Sequence, residues 1–186
     1  MLGLGLGVDK PVGNVEEGVF YPTITYTSDF TAPDGYDGWS TYLIESPVIA
    51  VGTQDGKENS FAVLWGASED SAWYIRNDAV IPEISDQAGL GSLATISFYV
   101  NLDFTPEEVE FIAWIGDIGS TTGTQFTLSD NIVPSDGEWH LVTGQCNIGN
   151  ATADRVGIGA TLSTDRPSAQ DAIYFNSISV TIEDRS

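Results

Sequence analysis

The clearest hydrophobic pattern of the chain lies between Leu93 and Ile115 and predicts two neighbouring strands. Apolar and polar residues alternate over 93–102, and they alternate again over 109–115. A period of two is what a strand with one buried face requires. The same alternation places Tyr99 and Trp114 on the faces that point away from the core. An aromatic outer face indicates either a binding platform or a surface that another element covers.

Short strands with the same character follow along the rest of the chain, separated by turn-forming residues. The predicted strands are 18–26, 39–44, 60–65, 72–76, 125–128, 138–148, 154–162 and 172–183, with a weaker candidate at 80–84. No stretch has convincing helical periodicity. Short strands at near-regular spacing are typical of a β-sandwich or barrel. The sequence therefore predicts one all-β domain, residues 18–186, preceded by an extended N-terminal arm, residues 1–17.

The N-terminal arm (residues 1–17) begins with leucine and glycine in alternation. In an extended strand one side would carry only apolar side chains, from Leu2, Leu4, Leu6 and Val8. The other side would carry glycines, which let another backbone approach closely. The arm is either a strand that docks on a neighbouring subunit or the first strand of the domain. It lacks the basic segment and continuous apolar core of a secretory signal, so no signal peptide is expected.

The composition excludes several classes of partner. The 186 residues include 27 acidic and 6 basic side chains, which give a formal net charge of -21. Such a surface repels phosphates and anionic lipids, so neither nucleic acid nor a membrane is an expected partner. No stretch is apolar for long enough to span a bilayer. The single cysteine, Cys146, excludes an internal disulfide framework and is expected to be a small core residue.

Residues suited to catalysis are few. The single histidine, His140, has no nucleophile elbow to accompany it, and one histidine with one cysteine excludes the usual zinc sets. A glycosidase needs two carboxylates at a set distance. With 27 carboxylates, pairs such as Glu108 and Glu110 are unavoidable and carry no signal. We therefore expect a protein that is not an enzyme.

A turn-rich segment, 28–39, contains a candidate cation site. Its three aspartates, Asp29, Asp34 and Asp37, could gather around a calcium ion, because calcium accepts several oxygen ligands at flexible geometry. Their spacing does not match the EF-hand loop, and turn formation also explains them. No other cofactor is expected.

Glycan binding is the stronger chemical prediction. Pyranose rings have apolar faces that stack on aromatic side chains, while carboxylates and amides bind the hydroxyl groups. The candidate residues are Trp73, Tyr99 and Trp114, with Asn101 and Glu110 as polar neighbours. The alternative is that a loop or a partner subunit covers these aromatic residues.

Three segments together resemble the jelly-roll carbohydrate-binding modules of families 4, 9 and 22. They are the turn-rich segment that ends at Trp39, the tryptophan strand 136–142 and the terminal strand 172–180. Modules of this kind commonly carry an aspartate where this chain has Asn176. This difference weakens the case for the structural calcium site that the resemblance implies. The resemblance implies a single jelly-roll β-sandwich. It leaves the activity open, because this fold hosts many functions.

The opening residues MLGLGLG resemble the start of many tailed-phage virion proteins, whose short apolar N termini anchor them to a particle. This resemblance implies an accessory structural protein of a virion, on the capsid or the tail, assembled in the host cytoplasm. Its partners would be virion subunits, and a homo-oligomer is expected. This is the first hypothesis from the sequence. The alternative is a carbohydrate-binding module or adhesin domain that binds a polysaccharide through exposed aromatic residues.

Overall fold

The computed structural model describes residues 23–31, 37–42, 48–64, 72–77, 92–102, 104, 108–116, 123–149, 155–161 and 171–183. Only the backbone is described at 24, 41–42, 48–50, 64, 72–74, 76–77 and 161. These residues contain strands and no helix, so none of them belongs to a helix that could span a bilayer. The strands are β1 (Ile24–Ser28), β2 (Trp39–Tyr42), β3 (Val48–Gln54), β4 (Lys57–Leu64), β5 (Ala72–Asn77), β6 (Leu93–Leu102), β7 (Glu108–Ile115), β8 (Thr124–Gln125), β9 (Thr127–Ser129), β10 (Ile132–Pro134), β11 (Trp139–Asn147), β12 (Val156–Thr161) and β13 (Ala172–Ile182).

The strands form two antiparallel sheets that pack face to face. Sheet A has the order β3-β4-β13-β6-β11-β9, and β1 also pairs with β13. Sheet B has the order β10-β7-β12-β5-β2, and β8 also pairs with β7. This architecture confirms the predicted all-β jelly-roll sandwich.

The core lies between the two sheets and is built from the alternating apolar residues of the strands. Phe98 of β6, Phe111 of β7 and Phe175 of β13 meet there, with ring centroids 5.9 to 6.1 Å apart. All three side chains are fully buried. Removing one such side chain from water contributes about 1.5–3 kcal/mol to stability. The inward face predicted for β6 is confirmed, because its apolar residues are fully buried: Ile96, Phe98, Val100 and Leu102.

Strands β6 and β7 are not neighbours in one sheet. β6 pairs with β11 and β13 in sheet A, whereas β7 pairs with β8, β10 and β12 in sheet B. The prediction of an adjacent pair is wrong, because alternation shows only that each strand has one buried face. That condition holds equally for two strands that face each other across a core. The outer faces of β6 and β7 therefore lie on opposite sides of the molecule.

Two strands have no counterpart in the sequence prediction. β3 begins with four consecutive apolar residues, 48–51, so it shows no alternation. β10 contains Pro134, which a strand tolerates at the edge of a sheet, where β10 lies. The predicted strand 125–128 is divided between β8 in sheet B and β9 in sheet A. The candidate strand 80–84 lies outside the described residues.

The N-terminal arm also lies outside the described residues. This applies to its apolar side chains, Leu2, Leu4, Leu6 and Val8, and to the proposed boundary after residue 17. The arm and its docking role stay predictions from the sequence.

Candidate functional site

The predicted glycan-binding residues are divided between the two outer faces of the sandwich. Glu110 and Trp114 lie on β7 in sheet B, whereas Tyr99 and Asn101 lie on β6 in sheet A. They therefore cannot form one site. Trp73 lies on β5 of sheet B, where its backbone pairs with Ala160, and its side chain is outside the described part of the structure.

On the outer face of sheet B, two glycines of β12 lie beside Trp114 and Ile112. Cross-strand partners point to the same face of a sheet, and the register of β12 pairs Gly157 with Trp114 and Gly159 with Ile112. Both glycines are buried, whereas Trp114 and Ile112 are partly exposed. On its other side β12 pairs with β5. We call this strip of the outer face, which runs along β7 and β12, the furrow.

The outer face of β7 changes from acidic to aromatic along its length. Glu108 and Glu110 are exposed at its beginning, and Ile112 and Trp114 follow. One carboxylate oxygen of Glu110 accepts a hydrogen bond of 3.3 Å from the side-chain amide of Asn131. Strand geometry separates Glu110 from Trp114 by roughly 13 Å. The furrow thus offers an aromatic ring for stacking and, at a distance, a carboxylate that can accept hydrogen bonds from hydroxyl groups.

A second cavity opens at the edge of sheet B next to β7. β8 pairs with the end of β7 at Trp114, β10 pairs with its beginning at Glu110, and β9 between them belongs to sheet A. The chain thus crosses from sheet B to sheet A and back between β8 and β10. Beside this crossing segment lies a cavity of about 370 Å³, which we call the notch. Its lining includes Glu110, Ile112, Gln125, Thr127, Leu128 and Asn131.

On the outer face of sheet A, Tyr99 is already in contact with a cation. The ammonium of Lys57 lies 4.1 Å from the centroid of the Tyr99 ring and 5.5 Å from that of Trp139. The indole N–H of Trp139 donates a hydrogen bond of 3.3 Å to the carbonyl of Gln54. Such a cation–π contact contributes about 0.5–1 kcal/mol at an exposed site. The β3–β4 hairpin therefore covers a ring face that a sugar would need.

Trp139 has a place on this face that the sequence pattern does not reveal. It is the first residue of β11, and its backbone pairs with Asn101 in the middle of sheet A. Alternation along β11 predicts that Trp139 shares the outer face with Leu141. The sequence does not show that the ammonium of Lys57 lies over the Trp139 ring. That contact depends on the fold of the β3–β4 hairpin.

Asn101, predicted from the sequence as a polar neighbour of the glycan, is buried at the end of β6. It is fully buried, and its side-chain N–H groups donate to a carboxylate oxygen of Asp55 at 3.1 Å and to the carbonyl of Gly137 at 2.5 Å. The turn at Asp55 and Gly56 and the turn around Gly137 fold over this end of β6. Asp55 and Gly56 both have positive φ, 43° and 79°, as the two-residue turn of a tight hairpin requires.

Another part of this outer face carries uncharged polar side chains in two rows. Each row crosses five neighbouring strands, β1, β13, β6, β11 and β9, in register. The first row is Thr25, Thr181, Thr95, Gln145 and Thr127, and the second is Thr27, Ser179, Ser97, Thr143 and Ser129. Within the first row Thr25 and Thr181 share a hydrogen bond of 3.0 Å, and Gln145 donates to Thr95 at 3.2 Å. The two rows provide hydroxyl groups without an aromatic platform.

The two described carboxylates of the predicted calcium site, Asp29 and Asp37, have partners within the protein. Asp37 accepts a hydrogen bond of 2.6 Å from the backbone N–H of Phe30 and one of 2.9 Å from the hydroxyl of Ser28. Asp29 accepts from the backbone N–H and the hydroxyl of Thr31. Asp34 lies outside the described residues. Among the residues that the structure describes, no group of three metal-binding side chains is found, so the calcium site stays a prediction.

Among the described residues, the two with perturbed ionisation, Asp136 and Cys146, lie away from the furrow. The His140 ring nitrogen lies 3.0 Å from a carboxylate oxygen of Asp136, and this hydrogen bond holds the pKa of Asp136 below its usual value. Burial raises the pKa of the Cys146 thiol to about 11. A thiol with a raised pKa is a poor nucleophile, since the thiolate is the reactive form.

Several solved structures with the same fold are carbohydrate-binding modules. No family model and no curated protein matches the sequence. The xylan-binding domain CBM22-2 of Paenibacillus barcinonensis Xyn10C matches with a TM-score of 0.53 and 14% identity, over 84% of this chain and 98% of that chain. A xylan-binding domain of family 22 matches with a TM-score of 0.57 and 16% identity, over 84% and 93%.

A third match is the C-terminal family 22 module of Clostridium thermocellum Xyn10B, for which a ligand-binding cleft is described. Its TM-score is 0.57 at 17% identity, over 84% of this chain and 92% of that one. At such identities the similarity establishes the fold alone, a jelly-roll β-sandwich. None of these matches supports the virion hypothesis drawn from the N-terminal pattern.

Proposed function

We propose that the protein binds a polysaccharide, without catalysis, through the furrow on the outer face of sheet B. The single observation that carries this proposal is the position of Trp114, partly exposed on the outer face beside Gly157 and Gly159 of β12. Because both glycines are buried, a sugar ring would rest on the exposed part of the indole. Stacking buries apolar area on both partners and leaves the hydroxyl groups free for polar contacts.

The fold supports this proposal independently of the furrow. The matched domains of Paenibacillus barcinonensis and of family 22 are named as xylan-binding. The main alternative surface, the outer face of sheet A, is less suitable because Lys57 covers Tyr99 and Asn101 is buried. We therefore assign glycan contact to Trp114 and Glu110. Trp73 is left out of this assignment, because its backbone position on β5 pairs with that of buried Ala160.

Titration calorimetry with a panel of soluble polysaccharides, including xylan, β-glucan and mannan, tests the proposal. Trp114→Ala should weaken binding by roughly 30-fold or more, because a central aromatic contact contributes about 2 kcal/mol or more. Trp114→Phe should retain most of the affinity, since it keeps an aromatic face.

The matched control is Leu141→Ala, which alters an exposed apolar side chain on the opposite sheet. It should leave the affinity unchanged, and thermal unfolding should show that each variant is folded. The proposal is wrong if the wild-type protein binds no member of the panel. It is also wrong if folded Trp114→Ala binds as tightly as the wild type.

A further inference from the structure

We propose that the notch at the edge of sheet B binds a single uncharged sugar branch of a glycan whose main chain lies in the furrow. This inference rests on the proposed function and names the class of ligand more closely. The notch adjoins the furrow, because Gln125 in its lining pairs across the strands with Trp114. Ile112 belongs to both surfaces.

The size of the notch suits one ring. Its volume of about 370 Å³ lies at the lower end of the range of small-molecule sites, which is about 300–1,000 Å³. The segment that runs from Gln125 of β8 through β9 to Asn131 forms the wall opposite β7. A main chain that runs over β12 and β7 meets this wall at the edge of the sheet, and a branch can enter the cavity beneath it.

The lining has the chemistry that a neutral sugar requires. Ile112 and Leu128 provide an apolar wall, and Gln125, Thr127 and Asn131 provide amide and hydroxyl groups. Among the described residues of the lining, Glu110 alone is charged, and its carboxylate can accept hydrogen bonds from hydroxyl groups. The same carboxylate would repel the carboxylate of a uronic acid.

The walls of the notch are held by backbone hydrogen bonds. The N–H of Phe126 donates to the carbonyl of Ala113 at 2.9 Å, and the N–H of Phe111 donates to that of Asn131 at 2.7 Å. These bonds anchor both ends of the crossing segment to β7. A cavity formed before binding costs less ordering entropy when a ligand enters.

Matched pairs of oligosaccharides, with and without a branch, test this inference by titration calorimetry. Suitable pairs are xylo-oligosaccharides with and without arabinose, cello-oligosaccharides with and without xylose, and manno-oligosaccharides with and without galactose. For the main chain that the wild type binds, the branched form should bind about tenfold more tightly than the linear form. A hydrogen bond is worth about 0.5–1.5 kcal/mol, and 1.4 kcal/mol corresponds to tenfold.

The variant Gln125→Leu keeps the approximate size of the side chain and removes its hydrogen-bonding groups. It should reduce the preference for the branched form to less than about twofold. Gln145→Leu is the matched control, since Gln145 is an exposed glutamine on the opposite sheet, and it should retain the tenfold preference. Thermal unfolding checks that both variants are folded.

The outcomes separate this inference from the proposed function. Binding of linear chains with no gain from a branch would overturn the branch site and leave the furrow proposal intact. A preference for branched chains that survives in Gln125→Leu would also overturn it. If neither form of any pair binds, the proposed function fails and the inference fails with it.

Discussion

Replacing Gly144 with alanine should destabilise the protein, because β9 passes too close to this position of β11. An added Cβ would lie 2.5 Å from Cδ2 of Leu128, 2.8 Å from the carbonyl oxygen of Thr127 and 3.1 Å from Cα of Leu128. The leucine methyl group can rotate away, but the other two atoms belong to the backbone of β9. The alanine therefore fits only if β9 moves away from β11.

The expected cost follows from two opposing effects. Overpacking of a well-filled site costs about 1–3 kcal/mol, and replacing glycine with alanine restores about 0.4–1 kcal/mol by restricting the unfolded chain. We expect Gly144→Ala to lose about 1–2 kcal/mol in the free energy of unfolding. For a protein of this length each kcal/mol lowers the melting temperature by about 2–4 °C.

Urea denaturation of the wild type, Gly144→Ala and a control variant measures this loss. The control is Gly52→Ala in β3, where the added Cβ would meet no atom within 4 Å. It should be as stable as the wild type or slightly more stable. Equal midpoints for Gly144→Ala and Gly52→Ala would refute the close packing of β9 on β11.

Two further predictions concern single side chains. Asp37→Asn should lower the free energy of unfolding by about 1 kcal/mol, because a neutral acceptor bonds the N–H of Phe30 more weakly than a carboxylate does. The control is Asp29→Asn at an exposed position, which should cost less than about 0.5 kcal/mol. Urea denaturation measures both. Cys146, with its pKa raised from 9.0 to about 11, should react with iodoacetamide at pH 8 about a hundredfold more slowly in the folded than in the unfolded protein. Its native rate should keep rising with pH up to about 11, and a rate that levels off near pH 9 would contradict this. The raised pKa contributes stability below pH 9.0, and this contribution is lost as the pH rises through about 11.

The sequence predicts which residues of the strands face inward, because alternation records the buried face directly. Phe98 and Val100 on β6 and Phe111 on β7 are fully buried, as their positions in the pattern require. The same pattern places Trp114 on an outer face, where it is partly exposed. The fold class and the core residues can thus be predicted from local periodicity.

Contacts between residues that are far apart in the sequence cannot be predicted from local periodicity. Gly157 and Gly159 are merely small residues in the sequence, and only the register of β12 against β7 places them beside Trp114. Lys57 reaches the ring of Tyr99 only because the β3–β4 hairpin folds over sheet A. Asn101 has the polar character and the alternation of an exposed residue, and two turns from elsewhere in the chain bury it.

The position of β13 has a consequence for the order in which the protein folds during synthesis. β13 lies between β4 and β6, and among the described strands it is the one that joins these two parts of sheet A. Roughly 70 residues separate the end of β6 at Leu102 from the start of β13 at Ala172. At 5–20 residues per second the ribosome needs about 4–14 s to make them, and β4 and β6 have unpaired edges during that time. The last described strand thus completes sheet A, and two nascent chains close together on one messenger could exchange it.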